Sequence, residues 1–327
     1  MNNLKKVGLT ALASSLVATS AYAGEMSVAG SASFNMKNWA NVADQDGKSM
    51  SMGNQLTFTG GGEMDNGMNV SLSFILDQGD DAPATNTTTT LDARGDTSPF
   101  DSHSITISSD AMGSITYAGE GGASAQHTVD TTAAGDIWNN TFGFTSGTDA
   151  DSGKALVWTL PSLMDGLNVV TSYNFSAAAK EATVGYALTY SGVEGLSLTY
   201  AAGEVGGNEA GTTGSEVTTM KASFAFGPVT AAMSINEYDL NGSTSNEEQS
   251  SYKISYSVSD ELSVSYGSET FETTGATTDE EFDQISVSYT TGGLTATVSQ
   301  TNADNVVGAI NSQTEQSLWS VGLSFAF

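Results

Sequence analysis

The two histidines, His103 and His127, are the side chains best suited to acid–base catalysis in this sequence, which contains no cysteine. His103 precedes the alternating apolar residues Ile105 and Ile107 and shares their parity, whereas His127 lies in a long polar segment. A hydrolytic triad needs a nucleophile, an imidazole base and an acid that orients the base. Neither histidine has such partners in its segment, so we predict that the protein is not an enzyme.

Two acidic segments resemble parts of calcium-binding loops: Asp149-Ala150-Asp151-Ser152-Gly153 and Asp44-Gln45-Asp46-Gly47. Neither has the full ligand spacing or the closing glutamate of such a loop. We therefore predict no metal site and no cofactor. Loosely bound Ca²⁺ stays open as an alternative at two further acidic groups, which are Asp77, Asp80 and Asp81, and Asp279, Glu280 and Glu281.

The charge balance is extreme, with 37 acidic residues against 9 basic ones and a formal net charge of −28. Phosphate groups would be repelled by such a chain, and no basic patch reverses the sign, so nucleic acid is excluded as a partner. Cations, by contrast, would be attracted. The hydrophobic fraction of 39% is compatible with a folded sheet protein.

The segments that must position these groups alternate strictly between apolar and small or polar residues. In the final segment, Ser317 to Phe327, the apolar positions are Trp319, Val321, Leu323, Phe325 and Phe327. Residues 27–36 and 68–76 show the same alternation. This pattern predicts strands with one apolar and one polar face. A closed barrel in lipid, apolar outside and wet inside, satisfies both faces of every strand.

Two kinds of connection separate these strands. Turn-forming residues mark tight turns near residues 64–67, 109–113, 162–166, 192–195, 227–228, 259–261 and 291–293. Polar segments indicate longer loops at about residues 40–50, 78–101, 119–153, 176–180, 201–215, 239–249, 268–280 and 301–315. Together they predict an all-β protein, a transmembrane antiparallel β-barrel of about 16 strands. This alternation of tight turns and long loops is typical of barrels with short periplasmic turns and long extracellular loops.

The amino terminus predicts export. Lys5 and Lys6 precede the short apolar stretch Val7 to Val17, and Ala21-Tyr22-Ala23 fits a signal-peptidase site. We therefore predict a signal peptide at residues 1–23 and a single barrel domain at residues 24–327. The apolar stretch is too short for a convincing transmembrane helix.

An export signal followed by alternating strands and a terminal Phe resembles the general-diffusion porins of Gram-negative bacteria, most closely those of alphaproteobacteria. The resemblance covers the mature chain and rests on strand pattern and the two termini. It implies a homotrimer in outer-membrane lipid and lipopolysaccharide, with a water-filled channel for passive diffusion of small hydrophilic solutes and ions. It also implies that the outer-membrane assembly machinery recognises the carboxyl-terminal strand, here Trp319, Val321, Leu323, Phe325 and Phe327.

The same resemblance implies that the third long loop, after the fifth strand, folds into the barrel and presents carboxylates toward a basic wall. The candidate acids of this constriction are Glu120, Asp130, Asp136, Asp149 and Asp151. Strand parity points Lys37, Lys221 and Lys253 inward as the candidate basic wall. The sequence departs from the family's arginine cluster, because its only arginine is Arg94 in another long loop. We therefore predict a wide, weakly cation-preferring pore.

Two other functions fit a barrel of this composition. A substrate-specific outer-membrane channel would line its path with aromatic residues, for which Trp138, Phe142 and Phe144 are the clustered candidates. An acidic calcium-binding surface barrel, or adhesin, would instead use the long loops and would need no open lumen.

Overall fold

The computed structural model describes residues 26–42, 47–77, 102–139, 142, 144, 152–175, 182–205, 215–239, 246–306 and 315–327. The regular structure of this part consists of sixteen β-strands that form one closed barrel. Within it, no helix has the length and apolar character needed to span a membrane. The predicted signal peptide lies outside the described residues.

Every strand pairs antiparallel with its neighbour in the chain, and β1 pairs with β16 to close the barrel. The strands are β1 (Met26–Ala40), β2 (Gly47–Glu63), β3 (Asn69–Asp77), β4 (Ser102–Ser109), β5 (Gly113–Ala123), β6 (Ser152–Thr159), β7 (Leu167–Asn174), β8 (Thr183–Val193), β9 (Leu196–Val205), β10 (Ser215–Phe226), β11 (Val229–Asp239), β12 (Glu247–Ser257), β13 (Leu262–Thr273), β14 (Glu280–Thr291), β15 (Leu294–Asp304) and β16 (Gln316–Ala326). The predicted fold class is confirmed.

The two faces of the strands divide as their alternation predicts. In β8, Val184 and Tyr186 are exposed on the outer surface, whereas Gly185 and Ala187 are buried on the inner side. Large exposed apolar side chains recur around the whole circumference. Because a transmembrane barrel turns its apolar face to lipid, this outer surface is the membrane-facing one.

Strand ends alternate between tight turns and long connections. The tight turns share one end of the barrel, the short-turn end, and the long connections share the other, the long-loop end. At the β8–β9 turn, Gly195 has φ +76°, and a Cβ atom there would overlap the carbonyl oxygen of Ala225. Glycine is therefore required both by the backbone conformation and by the close approach of the next hairpin.

Candidate functional site

The third long connection, between β5 and β6, runs inside the barrel. We call its described part the third loop; it comprises residues 124–139, Phe142 and Phe144. Near its start, the Ala125 amide donates a hydrogen bond to Ser172 Oγ on β7 (2.7 Å). Next, Gln126 Nε2 donates to Thr219 Oγ1 on β10 (3.0 Å). The loop thus begins to follow the inner wall.

The middle of the third loop continues along the same wall. Ser251 Oγ on β12 accepts hydrogen bonds from the amides of Ala133 (3.1 Å) and Ala134 (2.9 Å). Glu269 Oε2 on β13 then accepts one from the Trp138 amide (3.0 Å). Side chains of the wall thereby satisfy buried backbone donors of an irregular segment, which would otherwise be costly.

An apolar cluster ends the described part of the loop. The Phe144 ring lies 4.7 Å from that of Phe271 on β13, and the Phe142 ring lies 5.9 Å from that of Phe282 on β14. The cluster extends to β1, β15 and β16 through Trp39, Val42, Ala303, Val306 and Leu318. The aromatic residues proposed from the sequence for a substrate path, Trp138 among them, pack the loop against the wall instead.

These contacts place the loop against the inner wall from β7 round to β1. The inner faces of β2 to β6 form the opposite wall of the lumen. Their inward polar residues are Ser49, Ser51, Gln55, Thr57, Thr59, Glu63, Asn69, Ser71, Ser73, Asp77, Ser102, Ser104, Thr106, Ser108, Ser114, Thr116 and Thr159. Among the described residues of these five strands, Lys48 and Lys154 have outward parity, so no basic side chain points inward.

Two of the five predicted acids lie on the described part of the third loop. Asp130 is exposed and forms an ion pair with Lys221, with Oδ2 and Nζ 2.7 Å apart. Asp136 is also exposed, and its Oδ1 accepts hydrogen bonds from Thr132 Oγ1 (3.2 Å) and Trp138 Nε1 (3.3 Å). Both carboxylates are therefore accessible to solvent, although each is also bound by a neighbouring side chain. Asp149 and Asp151 fall outside the described residues.

Glu120 stands apart from these acids. It lies on β5 opposite His103 of β4, with Oε2 3.7 Å from His103 Nδ1. A β-bulge shifts the register between His103 and Ser104, and His103 shares the outward parity of the exposed Ile105. An extra residue in one strand re-aims the side chains beyond it. Glu120 therefore contacts an outward-facing residue of the neighbouring strand.

Lys221 and Lys253 point inward, but they lie beneath the third loop. Lys221 Nζ donates hydrogen bonds to the carbonyls of Asp130 (3.2 Å) and Thr132 (2.7 Å). Lys253 Nζ donates to the Ala134 carbonyl (3.4 Å). The structure thus places these two lysines in contact with the third loop rather than across the lumen from it. The reason is the path of the loop, which covers the very strands that carry them.

Lys37 occupies an inward position on β1, between Ser49 of β2 and Ser320 of β16. Its Nζ lies 5.7 Å from the centre of the Trp39 ring, a distance at which a cation and an aromatic face attract each other. Lys37 thus flanks the lumen at the edge of the apolar cluster.

The long-loop end of the barrel carries an acidic depression. Its volume is about 490 Å³, and its acidic lining consists of Glu237, Asp239, Glu247, Glu248, Glu272 and Asp279. Across the described residues, no group of three or more His, Cys, Asp or Glu side chains is arranged to hold a metal ion. Of the acidic groups considered for loosely bound Ca²⁺, Asp80 and Asp81 lie outside those residues.

The predicted assembly residues lie on the outer surface, four of them on β16 and Phe327 directly after it. Trp319, Val321, Phe325 and Phe327 are exposed there, and Leu323 shares their parity. The residues that the sequence did not single out are the wall groups that hold the loop: Ser172, Thr219, Ser251 and Glu269. Strand parity marks each as inward, but parity alone cannot distinguish a loop contact from any other inward polar residue.

Comparison with known proteins agrees with this architecture. The family model described as Gram-negative porin matches residues 8–327. Among solved structures, a triple mutant of the Rhodopseudomonas blastica porin is similar at 16% identity and a TM-score of 0.64, covering 93% of this chain and 100% of that one. The anion-selective porin from Comamonas acidovorans gives 14% identity, a TM-score of 0.64 and the same coverage.

A loop-deletion variant of OmpT, an outer membrane protein of Vibrio cholerae, is similar at 13% identity and a TM-score of 0.60, covering 93% of this chain and 99% of that one. At such identities the likeness shows the fold alone. No curated protein matches the sequence significantly.

Proposed function

Because the chain belongs to the Gram-negative porin family and so lies in the outer membrane, we propose that it conducts small hydrophilic solutes and ions by passive diffusion, with a weak preference for cations. A barrel of sixteen strands is too wide for its own side chains to fill. The inward residues of β2 to β6 are largely hydroxyl-bearing. Such a wall favours a column of water between itself and the third loop.

One observation carries the proposed cation preference, namely that two of the three lysines predicted to oppose the loop are bound to the loop itself. Lys221 is bound to Asp130 and two loop carbonyls, and Lys253 to a third carbonyl. Across the lumen, the described residues of β2 to β6 present hydroxyl groups, amide groups and the carboxylates of Glu63 and Asp77. Cations passing the loop therefore meet carboxylates, and the described residues of β2 to β6 present no positive charge toward the lumen.

The acidic depression at the long-loop end adds to this preference. Its six carboxylates would raise the local concentration of cations near the barrel mouth. Screening limits the effect, since the Debye length is about 8 Å at physiological ionic strength. Selectivity should therefore be modest and should increase in dilute salt.

Reversal potentials test this proposal. The purified protein in a planar bilayer under a KCl gradient should give potentials of the sign expected for a channel that prefers K⁺ to Cl⁻. The magnitude should fall as the mean salt concentration rises. Anion preference would contradict the charge argument, and a lack of conductance would contradict the channel itself.

We further propose that three copies associate through the outer faces of β1 to β4. On these strands the described outward positions contain no Tyr or Trp, whereas Tyr or Trp occurs on the outer faces of β5 to β9, β12 to β14 and β16. Tyr and Trp are typical of lipid–water interfaces. The strongly exposed residues of β1 and β2 include Met36, Met50 and Met52, and methionine adapts well to protein contacts. The mass of the complex in mild detergent tests this assignment.

The remaining partners follow from the same location. We propose that outer-membrane lipid and lipopolysaccharide surround the exposed apolar surface, and that the outer-membrane assembly machinery recognises β16. The latter is supported by the outward, exposed position of Trp319 and Phe327. Folding assays with the reconstituted machinery and a β16 peptide as competitor would test it; unchanged folding in the presence of the peptide would count against it.

A further inference from the structure

A cavity of about 270 Å³ lies between the third loop and the inner wall of the barrel. It is lined by residues 128–130 of the loop and by five inward side chains of β8 to β10, which are Thr189, Ser197, Thr199, Lys221 and Ser223. Pockets for drug-sized ligands usually have volumes of about 300–1,000 Å³. The cavity is therefore suited to a smaller solute. We call it the hydroxyl cavity.

The five wall side chains occupy two adjacent rows of the sheet. Thr189 of β8 pairs with Thr199 of β9, which pairs with Lys221 of β10. In the next inward row, Ser197 of β9 pairs with Ser223 of β10. Directly opposite side chains on a sheet lie about 5 Å apart. The four hydroxyl groups thus form a compact grid, which a solute with hydroxyl groups on successive carbon atoms can contact at several points.

These hydroxyl groups keep capacity for further hydrogen bonds. Those of Thr189 and Thr199 bond each other (3.2 Å), which uses only one of their two hydrogen atoms. Ser197 and Ser223 are half-buried, and their hydroxyl groups make no hydrogen bond within the described part of the chain. Since a hydroxyl group can donate one hydrogen bond and accept two, the wall can both donate to a ligand and accept from it.

The charges in the lining are balanced within it. The Lys221 ammonium donates to Asp130 Oδ2 (2.7 Å) and to the carbonyls of Asp130 (3.2 Å) and Thr132 (2.7 Å). An ammonium group has three donors, so none is left for an anion. Asp130 also accepts from the Thr132 amide through Oδ1 (3.1 Å). The lining therefore favours a neutral ligand over an ion.

One apolar side chain, Val129, completes the lining. It packs against the small buried residues Ala125, Ala187 and Ala201, which fix its position between loop and wall. Polyols and sugars carry C–H groups between their hydroxyl groups, so a single apolar side chain beside a hydroxyl-rich wall matches their surface.

We propose that the hydroxyl cavity binds small uncharged polyhydroxylated solutes, namely polyols and monosaccharides. Their hydroxyl groups bond Ser197, Ser223 and the Thr189–Thr199 pair, and their C–H groups lie against Val129. The affinity is low, because binding exchanges hydrogen bonds with water for similar ones with protein. The inference rests on the proposed channel, since a water-filled lumen is what brings the solute to the cavity.

Saturation-transfer NMR on the full mature protein tests the site, with xylitol as the probe. The micelles consist of dodecyldimethylamine oxide, because a detergent with a sugar headgroup would compete for the cavity. We expect saturable transfer to xylitol. Pentane-1,5-diol has the same five-carbon chain with only two hydroxyl groups, and it should show much weaker transfer.

The cavity variant Ser197→Ala with Ser223→Ala removes two free hydroxyl groups without changing the charge. It should raise the apparent dissociation constant for xylitol at least about fivefold, the effect of losing two ordinary hydrogen bonds. Ser265→Ala with Ser286→Ala is the matched control, because these half-buried serines also face each other on the inner wall, on β13 and β14. This control variant should bind xylitol as the wild type does.

Two results would overturn the proposal: the absence of saturable transfer to xylitol in the wild type, or equal dissociation constants in the wild type and the cavity variant. Swelling of proteoliposomes in xylitol separates this outcome from failure of the channel. Swelling without detectable binding would reject the site and leave the channel in place. Binding without swelling would contradict the channel and not the site.

Discussion

The ring of Phe327, the last residue, lies on Gly30 of the first strand. The two residues exchange backbone hydrogen bonds: the Gly30 amide donates to the Phe327 carbonyl (2.7 Å), and the Phe327 amide donates to the Gly30 carbonyl (2.9 Å). A Cβ atom on Gly30 would overlap the Phe327 ring. The barrel therefore closes where a residue without a side chain meets the terminal aromatic residue.

Replacing Gly30 should weaken this closure. Gly30→Val forces the Phe327 ring away, and overpacking of this kind usually costs about 1–3 kcal/mol. Refolding into detergent followed by urea titration should show a lower unfolding midpoint. Gly60→Val is the control, because a Cβ at Gly60 meets open space. The double variant Gly30→Val with Phe327→Ala should regain part of the stability lost in Gly30→Val. If it does not, the loss of stability has a cause other than overlap with the Phe327 ring.

Removing the positive charge of Lys221 should increase cation preference. Lys221→Met leaves the Asp130 carboxylate without its ion-pair partner, so the loop surface becomes more negative. The reversal potential under a KCl gradient should shift toward that of K⁺. Because the Debye length falls from about 30 Å at 0.01 M salt to about 3 Å at 1 M, the shift should be largest in dilute KCl.

Lys154→Met provides the control for that measurement, since Lys154 has outward parity and is exposed. Its reversal potential should match that of the wild type. A Lys221→Met channel with unchanged or more anion-selective behaviour would show that Asp130 does not act on passing ions.

Asp136 should also contribute to the negative electrostatic potential by which the third loop attracts cations. Its carboxylate is exposed, and its contacts with Thr132 and Trp138 can also be made by an amide oxygen. Asp136→Asn should therefore reduce cation preference while leaving single-channel conductance at high salt nearly unchanged. A large change of conductance in 1 M KCl would mean that the substitution moves the loop instead.

Loss of the Ser251 hydroxyl should loosen the third loop. Ser251→Ala leaves the buried amides of Ala133 and Ala134 without their acceptor, and an unsatisfied buried donor costs about 1–3 kcal/mol. We expect larger and noisier single-channel currents, together with faster proteolysis in the loop. Ser250→Ala, on the outer face of the same strand, should behave as wild type. Identical current noise in the two variants would argue against anchoring by Ser251.

A charge on the proposed trimer face should separate the copies. Met50→Lys places an ammonium group on the outer face of β2, where it would be desolvated between subunits. Light scattering in mild detergent should then report a monomer. Met233→Lys on β11 serves as the control, because its position is also exposed but lies outside the proposed face, and the complex should stay trimeric. If the Met50→Lys protein remained trimeric, the interface would have to lie on another part of the outer surface.

The alternation of side chains determined much of this protein from sequence alone. It predicted the outward position of Trp319 and the inward positions of Lys37, Lys221 and Lys253, while the turn and loop residues predicted the number of strands. These features are predictable because the side chains of a strand alternate by local geometry, whatever the strand pairs with.

Only the tertiary structure decided what the inward residues meet. The third loop follows the inner wall from β7 round to β1, so it covers Lys221 and Lys253, while Ser251 and Glu269 become its anchors. A bulge in the β4–β5 pair sets Glu120 against His103. The path of an irregular loop and the register of a bulge depend on contacts between residues far apart in the chain, which strand periodicity does not encode.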